Sequence, residues 1–157
     1  MSVKLFILSM CVFMWMGFIC AISFMEAWLK FRAPGVTVPI GLGIGKLVFG
    51  ALNRVEWVFA LVILSIWLLG RYPVPNSFKL WYGIAFLFLV TQSVWLLPVL
   101  DKRAVAFIRG ESLQPSYLHI YFVLFEVFKV LALFLMAKNL FHSLPGSSPA
   151  GMVEISS

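Results

Sequence analysis

Three ionisable side chains stand inside a run otherwise built for lipid. In YLHIYFVLFEVFKVLALFLMAKN, residues 117–139, His119, Glu126 and Lys129 interrupt an apolar stretch long enough to cross a bilayer. An ionisable group in hydrocarbon costs about 2.5 to 3.5 kcal/mol on insertion scales, so three in one segment need partners or a task. Their spacing, seven residues and then three, keeps them within about 80° of one helix face. Lys46, Asn53 and Glu56 repeat that spacing in an earlier apolar run. Glu26 and Lys30, four apart, add a third pair, and Thr91, Gln92 and Ser93 add hydrogen-bonding groups. The candidate intramembrane network is Glu26, Lys30, Asn53, Arg54, Glu56, Gln92, His119, Glu126 and Lys129, with Arg54 pointing off the stripe. A rise of about 1.5 Å per residue sets Glu126 about 15 Å from the start of its helix. At that depth the two stripes are expected to face each other in the bundle interior.

Two kinds of work suit such stripes. Polar groups in membrane bundles act as glue between helices, at about 0.6 kcal/mol per contact, and an ion pair can fix register. A buried carboxylate beside a lysine and a histidine is also the arrangement that proton pathways use. Metal chemistry has less to stand on. His119 and His142 are the only histidines, near opposite membrane faces, which excludes a site shared by both within one chain. His119 alone stays a weak candidate for a haem axial ligand, and Met10, Met14, Met16 and Met25 for copper(I), although methionine in an apolar helix more often packs. Cys11 and Cys20 fall on opposite faces of one helix, against a disulfide. No nucleophile with a base and an orienting group is legible, nor a CxxC pair, so an enzyme is not expected and no resident cofactor is assigned.

Composition says what must position these residues. The 157-residue chain is 62% hydrophobic and 11% charged, against about 25% charged in soluble domains, and its mean hydropathy is +1.02. It is an integral membrane protein whose first partner is the lipid bilayer. The net charge of +6 comes from basic residues scattered at the ends of apolar runs, not gathered into a patch, which argues against nucleic acid and for topology and headgroup contact. Trp28, Tyr72, Trp81, Tyr117 and Tyr121 mark interface positions.

Apolar windows predict spans at about 4–28, 46–69, 79–98 and 117–139, an all-α four-helix transmembrane bundle over 1–142 with a flexible tail at 143–157. The first run is too long for a signal h-region. Residues 70–78 read as a Pro-rich turn, and 30–45 and 99–116 as longer loops. Gly41, Gly43 and Gly45 lack the strand and the lysine–serine pair of a phosphate loop, and suit close helix packing or a re-entrant bend. Lys30, Arg32, Lys46, Arg54, Lys102, Arg103 and Arg109 flank loops one and three, against Lys4, Arg71, Lys79 and Lys138 on the other side. The asymmetry predicts loops one and three in the cytoplasm and both termini outside.

The succession WMGFICAISFMEAWLKFRAPG, GIGKLVFGALNRVEWV, WLLPVLDKRAVAFIRGE and YLHIYFVLFEVFKVLAL resembles bacterial membrane proteins of unknown function related to the transmembrane protein 205 family. The matching positions are Trp15, Gly17, Phe31, Gly45, Phe49, Leu97, Pro98, Leu118 and His119. The resemblance implies a four-helix bundle of undetermined activity in the bacterial inner membrane. The first loop is longer and richer in glycine than that pattern. WLKFRA and LDKRA, with the stripe spacing that recurs 73 residues on, suit two related helical hairpins. The expectation is a non-enzymatic membrane protein with a buried polar network, open to a role as an accessory subunit beside other membrane subunits or as a homo-oligomer. The alternatives are a small proton-coupled transporter and a haem- or copper-binding protein.

Overall fold

The computed structural model describes residues 3–69, 75–111, 114 and 116–142. It contains four helices long and apolar enough to cross a membrane: α1 (Val3–Arg32), α2 (Val38–Leu69), α3 (Asn76–Ile108) and α4 (Leu118–His142). They pack in a square with each helix beside its chain neighbours and α4 returning to α1, so α2 and α4 stand on a diagonal and run in the same direction. α1 begins and α4 finishes at one end, here the terminal end. The turns after α1 and α3 share the other, the loop end. The predicted tail at 143–157, Arg71 and Tyr72 lie outside the described residues.

Two helices run furthest past their predicted bounds. α2 starts at Val38, so most of the expected first loop is helix. Pro39 does not prevent this because it sits in the first turn, where its missing N–H has no partner to lose. Only residues 33–37 connect α1 to α2, with Gly35 at φ +81° making the turn. α3 likewise runs ten residues beyond Pro98, to Ile108. The backbone widens to a π-helical stretch at Gln92–Leu96 immediately before the proline, which makes room for its ring. The helix ends in a glycine cap: Gly110, φ +84°, donates to the Phe107 carbonyl at 3.0 Å, and the Glu111 N–H reaches Ala106 at 3.1 Å. α1 carries its own π-helical stretch at Cys20–Glu26.

The terminal half is packed with apolar side chains. Leu8, Trp15, Ile63, Phe78, Leu133 and Met136 are fully buried there. Lipid is as apolar as these side chains, so close contact rather than removal from water holds them, and small residues allow it. Ala60, Ala85 and Ala132 are buried in the same cluster. The Tyr82 hydroxyl finds its acceptor in the Ala60 carbonyl at 2.9 Å.

Candidate functional site

At the centre of the bundle Lys129 lies between two carboxylates. Its Nζ donates to Glu56 Oε1 across the diagonal from α4 to α2. It also lies 3.1 Å from Glu126 Oε2, one turn back on its own helix. Lys129 and Glu126 are 0% exposed and Glu56 2%, so none of the three reaches the surface. The remaining helices complete the arrangement. Trp15 of α1 donates its indole N–H to Glu56 Oε1 at 2.9 Å, and Gln92 of α3 donates to Glu126 Oε1 at 3.1 Å. One connected polar network therefore joins all four spans. Its core holds two carboxyl groups and one lysine amine.

A second polar knot sits beside it. The Ser93 hydroxyl accepts from Asn53 Nδ2 at 2.8 Å and from Trp57 Nε1 at 2.9 Å, and donates to the Leu89 carbonyl at 2.8 Å. That uses the donor and both lone pairs of a hydroxyl. Gln92 and Ser93 can serve different helices because they open the π-helical stretch of α3, which alters the angle between successive side chains.

The predicted constellation thus divides into parts. Glu56, Glu126, Lys129 and Gln92 form the central network, and Asn53 belongs to the Ser93 knot. Glu26 and Lys30 pair with each other at 3.2 Å near the loop end. His119 lies there as well, apart from the central carboxylates. Arg54 is exposed on the outer face of α2, outside the network. It follows Lys46 by eight residues, about 12 Å, and helical side chains lean toward the N-terminus, here the loop end, so its stem shortens the way to the headgroups. Sequence reading missed Trp15 as the partner of Glu56. The only signal available was a tryptophan placed too deep for an interface belt.

The loop-end residues surround a cavity of about 270 Å³ between α1, α2, α3 and α4, lined by Lys30, Lys46, Asp101 and His119 among apolar walls. Lys30 lies over the rings of Phe31 and Phe49, 5.5 and 5.0 Å from their centroids. Glycine makes this possible. A Cβ on Gly41 would run into the Phe31 ring, and one on Gly45 would lie 2.9 Å from Lys30 Nζ. Phe49 and Phe122 meet edge to face at 5.0 Å and also line the cavity, two turns short of Glu56 and Lys129. The central triad does not line it.

No protein-family model, curated protein or solved structure matches the chain. The chemistry must be read from the geometry. Among the described residues no three His, Cys, Asp or Glu side chains converge as metal ligands. Met10, Met14 and Met25 are exposed on the outside of the bundle. Cys11 is buried, Cys20 exposed, and both are free. His142's side chain lies outside the described ones.

Proposed function

We propose that this chain is a non-enzymatic integral membrane protein whose central ionic network fixes the arrangement of its four spans, as befits an accessory subunit of a membrane assembly. The observation that carries this reading is that one network, Trp15, Glu56, Gln92, Glu126 and Lys129, takes a side chain from every span. A conducting role needs an aqueous way out on both sides of the triad. On the terminal side the neighbours are Leu8, Leu133 and Met136, all fully buried.

The proposal places the protein in the bacterial inner membrane with the loop end in the cytoplasm, alongside the proteins related to transmembrane protein 205. Several residues that carry that resemblance hold this structure together: Trp15 binds Glu56, Gly45 underlies Lys30, and Phe49 packs on Phe122. Reconstitution into liposomes with a pH-sensitive dye tests the reading. We expect no proton flux above that of protein-free vesicles, and co-purification of other membrane subunits or further copies from native membranes. Proton flux that disappears in Glu126→Gln would replace this reading with a carrier.

A further inference from the structure

We infer that the loop-end cavity binds an anionic amphiphile, a molecule with a phosphate or carboxylate head and an alkyl chain. The polar groups facing the cavity are mostly donors with bonds unspent. Lys30 commits one contact to Glu26, while Lys46 and His119 make no hydrogen bond or ion pair among the described residues. A second cavity of about 290 Å³ adjoins the first at Leu42, Leu100, Ala104 and His119, and adds Arg103 to its lining. Across the two, Lys30, Lys46 and Arg103 face a single carboxylate, Asp101. Lys30 spends one donor on Glu26 and Arg103 one on the Gln114 carbonyl, which leaves the rest of their donors and those of Lys46 for an acceptor-rich head.

The walls supply the other half of the ligand. Leu42, Leu97 and Leu100 with Phe31, Phe49 and Phe122 leave an apolar lining that an inorganic anion would not use. The second cavity reaches Phe107, which is 41% exposed, so a chain can pass from the head site to the outer surface of the bundle. Trp28 and Tyr117, exposed at the same end, set this region at headgroup depth, where such amphiphiles are found. Gly41 and Gly45 fit the same purpose, since a side chain at either would push Phe31 or Lys30 from its place.

Native mass spectrometry of the full chain in a neutral maltoside detergent, titrated separately with dodecyl phosphate, inorganic phosphate and dodecyltrimethylammonium, tests the assignment. One dodecyl phosphate should bind per chain. Lys46→Met, which removes a charged donor, and Ala104→Phe, which fills the junction of the cavities, should each weaken it about tenfold or more. Lys79→Met, at the other end, should not. Inorganic phosphate should bind about a hundredfold more weakly, because it buries no methylenes. No binding of dodecyl phosphate, equal binding of dodecyltrimethylammonium, or unchanged affinity in both cavity variants overturns the proposal. Equal binding of inorganic phosphate also overturns it, in favour of a soluble anion. Ala104→Phe retains every charge, so the test stands even if Lys46→Met does not fold. No triad residue is altered, so failure here leaves the proposed role of the network standing.

Discussion

Lys129 brings an ammonium group into a site with no exposure, and what it meets there decides whether the bundle tolerates it. It meets two carboxyl groups, Glu56 and Glu126, and the Trp15 indole N–H donates to the first of them. Removing one member of such a cluster leaves an uncompensated charge in a dry interior, which costs about 3 to 5 kcal/mol, whereas replacing the whole cluster with uncharged groups of similar size is close to neutral. Lys129→Met should therefore lower the unfolding free energy in mixed micelles by about 3 to 5 kcal/mol. Adding Glu56→Gln and Glu126→Gln should restore a large part of it. A triple variant less stable than Lys129→Met would show that the ions contribute more than their mutual neutralisation. Ser93 supports a second prediction. Ser93→Ala removes the acceptor of both Asn53 and Trp57, and leaving these part-buried donors unpaired should cost about 1 kcal/mol. Trp57 fluorescence and the same unfolding assay check it.

At the scale of the helix, legibility followed the length of the pattern. Spans of twenty apolar residues announced themselves, and the heptad-like stripes on α2 and α4 meet at one level: Glu56 pairs with Lys129 and, two turns away, Phe49 lies edge to face with Phe122, each pair separated by 73 residues, while Asn53 turns to Ser93 of α3. A constant offset along two helices that run in the same direction keeps equivalent positions at one level, which is why the repeated spacing showed in the sequence. Helix ends were harder. Pro39, Pro98 and the charges around Asp101 are breaking signals in a linear reading. One is absorbed by position in the first turn and another by a local π-helical widening, and neither can be seen without knowing where hydrogen bonds already lapse. The three glycines were legible as a packing signal, though not what packs. The structure supplies Phe31 and Lys30. Gly41→Ala should destabilise by about 1 to 3 kcal/mol through overpacking. Gly50→Ala, which meets nothing within 4 Å, should be neutral or gain up to about 1 kcal/mol from helix propensity. In a double-mutant cycle Gly41→Ala with Phe31→Ala should cost less than the sum of the single changes, because the colliding ring has gone. Additive costs would locate the effect elsewhere.

For the molecule as a whole, the two ends of the bundle differ in kind. The terminal half is built on the buried apolar cluster, and the loop half carries the two adjoining cavities with basic linings, the Glu26–Lys30 pair and most of the basic residues. Placing Arg54 within the span of α2 takes it out of the tally that sets orientation. Lys30, Arg32, Lys46, Lys102, Arg103 and Arg109 still outnumber Lys4, Arg71, Lys79 and Lys138, so the proposed cytoplasmic position of the loop end stands on a narrower margin. With that proposed orientation, the proposed amphiphile site would fill from the cytoplasmic leaflet, where anionic lipids concentrate. It can be measured directly. In a background with Cys11→Ala and Cys20→Ala, a cysteine replacing Ala33, exposed in the turn between α1 and α2, should resist a membrane-impermeant maleimide in intact cells and react once the cells are broken. A cysteine replacing Lys4, near the start of α1, should react in intact cells. Reversal of both results would invert the topology, and with it the leaflet from which the cavity is loaded.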